Sequence, residues 1–279
     1  METLTGTAIG LKTKAVALLW ADEAPEDAIR FKSGRWGCVL SLFAAAASKG
    51  RTGAFDQETY GCWGGGTGLG FGDCYQTFPG GVECFCRFLA DGNDVCEQGR
   101  AIGQQLAAGG GSFADDFLHG EKYVKDAGVT AQLLQTLPMR RISAPFVVVK
   151  PLERVDPKLE VPKSVTFFVD PDQLSALVVL ANHTDPKGER VAIPWGAACW
   201  VLGILAYREL DREHPRGLVG LTDLSARLNV RFLGSNIMSF TAPWPLFLEM
   251  ESNAGNSFLQ RETWRALRRE PSAAGPAGG

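Results

Sequence analysis

Pro145-Phe146-Val147-Val148-Val149-Lys150-Pro151 is a run of β-branched and aromatic residues closed at each end by proline. Such side chains suit a pleated, half-buried surface, and proline cannot donate to a ladder beyond the strand's ends. The run therefore predicts a strand over residues 146–150 that opens a second half of the chain. The change falls in residues 137–144, which divides the protein into an N-terminal half, 1–140, and a C-terminal half, 141–270. Outward from it, the apolar runs 14–20 and 164–169 predict a buried strand in each half, with a shorter strand over 190–193.

Helices are expected between these strands. Residues 39–49 are rich in Ala and Leu, contain no Gly or Pro, and are stopped by Gly50. Further helices are expected over 95–108, 113–127 and 195–210, and Asp170-Pro171 starts one over 172–181. Residues 52–61 read as a polar loop, and Phe78-Pro79-Gly80-Gly81 reads as a turn. Strands interleaved with helices predict an α/β fold, with α+β as the variant: two related strand-helix halves packed into one globular unit. Residues 271–279 contain only Pro, Ser, Ala and Gly, and are expected to form a flexible tail.

The halves share an order of elements: strand, connection, short strand, then a helix entered from Trp-Gly with a cysteine near its start. Cys38 precedes Cys62 by 24 positions, the interval that separates Cys199 from Asp223. Asp223 would then occupy the place of Cys62 in a second copy, the mark of an internal duplication.

Composition excludes several classes. The apolar share of 45% and charged share of 21% are those of a globular protein. With 28 Lys and Arg against 31 Asp and Glu, the net charge of -3 gives no attraction for a nucleic acid backbone. Residues 1–20 fit neither an export signal nor a spanning helix, so no membrane contact and a cytoplasmic location are expected. Seven cysteines cannot all pair with one another, which argues against a disulfide framework and for thiol chemistry, metal ligation or packing.

The segment Gly61-Cys62-Trp63-Gly64-Gly65-Gly66-Thr67-Gly68-Leu69-Gly70-Phe71-Gly72 carries glycine at every even position from 64 on. If extended, it would present Gly64, Gly66, Gly68 and Gly70 on one bare face that a flat ligand, cluster or anion could approach. A tight packing connector is the plainer reading. No G-x-G-x-x-G register and no P-loop occur, so the glycines do not imply a nucleotide.

Cys62 adjoins that face, and Cys38 and Cys199 lie at helix starts, where the helix dipole would favour the thiolate. Cys38, Cys62 and Cys199 would make a three-thiolate site if the halves face each other, with Asp223 as an oxygen ligand or an open fourth position. The competing reading makes these cysteines small core hydrophobes. A second set, Cys74, Cys84, Cys86 and Cys96, lacks metal-knuckle spacing, and Cys84 and Cys86 would share one face of a strand. His119, His183 and His214 form no metal motif, and no G-x-S-x-G elbow is present. Asp223 and Arg227 stand four apart on an expected helix, as a surface ion pair or as the charged mouth of a shared pocket.

Cys38 with its helix ending at Lys49-Gly50, Gly61-Cys62-x-Gly-Gly and Leu69-Gly70-Phe71 together resemble the prokaryotic family called domain of unknown function 169. Phe78-Pro79-Gly80-Gly81, Ala198-Cys199, Asp223 with Arg227, and Ser239-Phe240-Thr241-Ala242-Pro243 agree in order, over roughly residues 14–247. The resemblance implies metal or iron-sulfur ligation by recurrent cysteines, here Cys38, Cys62 and Cys199. It gives no role to Cys84 and Cys86.

The leading expectation is a metal or iron-sulfur protein with redox or cluster-dependent chemistry on a small molecule. It would serve a small molecule or a redox partner protein, and self-association is compatible with it. The alternatives are a non-catalytic module that binds a small ligand on the 64–72 face, and a thiol-nucleophile enzyme using Cys62 or Cys38 with a distant histidine.

Overall fold

A computed structural model describes residues 2–108 and 113–268. Its strands are β1 (Val16–Ala21), β2 (Gly53–Phe55), β3 (Phe146–Pro151), β4 (Ser164–Val169), β5 (Val191–Ala192), β6 (Gly217–Gly220) and β7 (Met238–Pro243). They form one sheet in the order β2-β3-β1-β4-β7-β6-β5, and every pairing except β5 with β6 is antiparallel. The mixed α/β class read from the sequence is the class observed.

From the centre outward the order is β1, β3, β2 on one side and β4, β7, β6 on the other. In each triplet the last strand in sequence lies between the first two. Strand β3, which opens the second half by its sequence, thus completes the sheet of the first: Val147, Val148 and Val149 pair with both Trp20, Leu19 and Leu18 and with Phe55, Ala54 and Gly53.

Helices α1 (Leu4–Ala8), α2 (Val39–Lys49), α3 (Trp63–Leu69), α4 (Gly81–Phe88), α5 (Glu97–Ala108), α6 (Phe113–His119) and α7 (Ala127–Thr136) belong to the N-terminal part. Then come α8 (Pro171–Ala181), α9 (Ala198–Trp200), α10 (Ala206–Leu210), α11 (Leu224–Asn229), α12 (Trp244–Ala254) and α13 (Glu262–Arg268). A π-helical turn, Val201–Leu205, joins α9 to α10.

The alternation of each strand sends side chains to two cores. Val16 and Leu18 face one, packed under α2, α4 and the π turn. Ala17 and Leu19 face the other, under α8 and α12. Each fully buried Leu, Phe or Val stabilises by roughly 1.5–3 kcal/mol, so both layers depend on this period-two pattern. The helices of the first core come from both halves of the chain, and that brings the cysteine-bearing segments onto one face of the sheet.

Several expectations hold closely. Helix α2 spans the predicted residues, with Gly50 left-handed at its end. Helix α8 starts at Pro171 with a capping box between Asp170 and Gln173. Others are corrected. Residues 53–55 form an edge strand within the segment read as a loop, because Ala54 and Phe55 are fully buried against β3. Residues 81–88 are helical, so Cys84 and Cys86 do not share a strand face. The helix expected over 113–127 is broken at Gly120, which has φ +77 and packs against the Ala90 carbonyl; α7 follows as a separate helix. The tail expected over 271–279 lies outside the described residues.

Candidate functional site

Cys38 is the N-cap of α2, Cys62 the N-cap of α3 and Asp223 the N-cap of α11, while Cys199 is the second residue of α9. For Cys62 and Asp223 the capping role follows from their chemistry, since a capping side chain must be short and able to accept from the orphan amides of the first turn, whereas Cys38 holds the N-cap position without a side-chain bond to that turn. The Cys62 Sγ accepts from the Gly65 amide at 3.3 Å, and the Asp223 carboxylate accepts from the Ala226 amide at 3.2 Å. Cys62 and Asp223, matched by spacing in the sequence, therefore do the same local work in the two parts.

The four groups converge. Cys199 donates from Sγ to the Gly64 carbonyl oxygen at 2.9 Å, which ties α9 to α3. Asp223 also accepts from the backbone of Ala198, next to Cys199. Asn229, at the end of α11, is near enough to Cys38 to favour its thiolate, against the rise that burial causes. Cys38 and Asp223 are each close enough to Cys62 and to Cys199 for a charge on one to disfavour a charge on the other. The exposed indoles of Trp36 and Trp195, from the two Trp-Gly entries, stand near this group in sequence.

Burial dominates its electrostatics. It pushes the Cys62 thiol up to about 12, against the pull of the Gly65 and Gly64 amides, and drives Cys199 well above its usual range. Cys38 and the Asp223 carboxyl are also raised, chiefly by burial. This corrects the expected thiolates at helix starts: loss of hydration and the mutual repulsion of neighbouring anions outweigh a helix-end interaction, which is typically under 2 kcal/mol. A proton-free nucleophile at neutral pH is accordingly disfavoured at Cys62 and Cys38.

The glycine segment is corrected too. It is a helix, not an extended strand, and its glycines meet different neighbours. A Cβ at Gly68 would lie 2.6 Å from the Cys199 carbonyl carbon, and one at Gly66 would lie 2.6 Å from the Cys74 sulfur. Gly64 abuts Cys199 and Tyr75, and Gly70 ends the helix at φ +95. Instead of one bare face for a ligand, Gly64 and Gly68 let α3 pack at backbone distance against α9 and the π turn, where a Cβ on Gly203 would meet the Gly68 oxygen at 1.9 Å.

Arg227 makes no ion pair with Asp223. Its guanidinium donates to the carbonyls of Ile237 and Ser235, each at 3.0 Å, and fastens the chain that returns to β7. The second cysteine set is dispersed. Cys74 lies under α3, and Cys84 and Cys86 are buried in α4. Cys96 accepts from the Gly99 amide at 3.4 Å as α5 begins.

Sequence reading missed a polar group beside Asp223. Ser225 donates to a Glu121 carboxylate oxygen at 3.2 Å and from its backbone to the Tyr123 hydroxyl at 3.2 Å. Burial and the neighbouring Asp223 push the Glu121 carboxyl up to about 7. It also missed the fully buried Tyr75, whose hydroxyl accepts from the Trp200 indole at 2.7 Å. Only the glycines that leave room for Tyr75 hint at it in the sequence.

Among the described residues, no set of three or more His, Cys, Asp and Glu side chains is arranged as ligands of a single ion. None of their helices is long and apolar enough to cross a membrane.

Fold and site together define a mixed α/β protein with three thiols and a carboxyl gathered at helix starts on one face of its sheet. The chain belongs to the domain of unknown function 169 family, described as uncharacterised ArCR, whose sequence profile matches residues 6–253. No curated protein and no solved structure matches it.

Proposed function

We propose that this protein holds a soft metal ion or an iron-sulfur centre through Cys38, Cys62 and Cys199, for redox or cluster-dependent chemistry on a small molecule. The observation that carries this reading is the convergence of three thiols with Asp223 from segments up to 185 positions apart in the chain. The donor set fits in kind, since thiolates select copper(I), zinc and iron-sulfur centres, and Asp223 offers an oxygen donor. It is not grouped around one point, so binding includes turning the Cys199 Sγ away from the Gly64 carbonyl and releasing thiol protons. When bound, such a centre would supply electron transfer or Lewis acidity, while the buried surroundings limit solvent access. The recurrence of the strand order, and of Cys62 and Asp223 as matched caps, supports an origin by internal duplication. Seven free cysteines suit a reducing compartment, which supports a cytoplasmic location.

Anaerobic purification, metal analysis and an absorption spectrum test the reading. Thiolate-to-metal charge-transfer bands are expected, and are expected to be lost when Cys62 or Cys199 is replaced by Ser. A protein that stays colourless and metal-free after reconstitution with iron and sulfide, and that takes up neither zinc nor copper(I), would overturn it.

A further inference from the structure

Between α11 and the chain that returns to β7 lies a cleft of about 270 Å³. Leu224 and Leu228, one turn apart on α11, line it and remain 63% and 70% exposed, and Ile237 faces them. Arg227 and Arg231 line it as well. Arg227 is fixed by the carbonyls of Ser235 and Ile237, which makes it part of the wall. Gly234, at φ +140, gives the turn that folds the wall over.

Among the described residues neither arginine has a carboxylate partner, and Asp223, four residues before Arg227, turns its carboxylate to backbone amides instead. Two uncompensated guanidinium groups beside exposed leucines combine an anion-binding charge with an apolar wall. The volume is at the small end for a ligand pocket.

We propose that this cleft binds a small carboxylate bearing an apolar group, with the carboxylate on Arg231 in the field of Arg227 and the apolar part against Leu224, Leu228 and Ile237. Guanidinium binds carboxylate by paired charge-assisted hydrogen bonds, and the leucines gain by leaving water. The ligand would lie against the helix whose cap is Asp223 and whose last residue, Asn229, reaches Cys38. What is done to the ligand rests on the metal-centre reading above; its binding does not.

Calorimetric titration with hexanoate tests this, with hexan-1-ol and acetate as the separated apolar and charged halves. Hexanoate is expected to bind at least about tenfold more tightly than either half, and Arg231→Gln, a change at an exposed residue, to weaken it at least about tenfold. Leu228→Asp is expected to abolish it. Failure of hexanoate to bind, or equal binding to the Arg231→Gln variant, would overturn the proposal. A protein that takes up metal and ignores hexanoate loses only this inference, and one that binds hexanoate without taking up metal loses only the metal reading.

Discussion

Gly68 presses its α-carbon against the backbone of Cys199: a β-carbon added at residue 68 would stand 2.6 Å from the Cys199 carbonyl carbon and 2.7 Å from its oxygen. Backbone cannot rotate aside as a side chain can. Gly68→Ala gains up to about 1 kcal/mol of helix propensity, but overpacking of this kind costs about 1–3 kcal/mol. A net loss of stability is expected in urea unfolding and, under the metal-centre proposal, weakened metal uptake, because the clash displaces Cys199. Gly255→Ala, at an ordinary helical φ of -70 with nothing within 4 Å of the new carbon, is expected to be neutral or stabilising. Equal effects of the two changes would contradict the packing argument.

The raised thiol of Cys62 sets its reactivity. With the group pushed up to about 12, the thiolate fraction rises about tenfold per pH unit throughout the neutral and mildly alkaline range. Alkylation of Cys62 in the metal-free protein, followed by peptide mass spectrometry, is expected to climb log-linearly from pH 7 to pH 10. A plateau near pH 9 would show an ordinary, solvated thiol.

Glu121 carries a pH-dependent part of the stability. Its ordinary value of 4.5 is raised to about 7 in the fold, chiefly by burial and next by Asp223; Asp116 adds to this and Ser225 opposes it. The folded protein therefore binds more protons than the unfolded chain between those limits. Stability from this group is complete below pH 4.5 and is lost as pH rises through 7. Unfolding midpoints of Glu121→Gln from pH 5 to pH 8 are expected to fall less steeply than those of the parent. Parallel curves would contradict the assignment.

Asp223 and Arg227 are expected to act independently. Asp223→Ala removes a cap at about 0.5–2 kcal/mol, and Arg227→Gln removes charged donors to two carbonyls at about 1–3 kcal/mol. A double-mutant cycle on unfolding free energy should give a coupling below about 0.5 kcal/mol. A coupling above about 1 kcal/mol would restore the ion pair that their spacing suggests.

What the sequence disclosed followed the reach of its local signals. Helix α2, the strands β1, β3 and β4, and the capped start of α8 were legible because periodicity and capping act within a few residues. The glycine segment misled because alternation along the sequence implies a face only in an extended chain, while seven of these residues coil into a helix whose small positions admit α9. Strand β6 went unread because Gly217 and Gly220 weaken its β signal, and β7 because its burial comes from pairing with β4 and β6. Cys38, Cys62, Cys199 and Asp223 could be nominated from spacing. Glu121 and Tyr123 could not, since only the tertiary fold lays them on α11.

The seating of β3 between β1 and β2 bears on how the chain reaches its native state. Residues 16–21 must wait for residues 146–151 before the ladder between them can close, and all of α2 to α7 leaves the ribosome in that interval. Until then β1 offers unpaired hydrogen-bonding edges, so slow folding and a dependence on chaperones are expected from topology alone. A polypeptide ending at residue 140 would keep both edges open permanently and should aggregate, whereas one that continues through Val169 carries β3 and β4, which cover them.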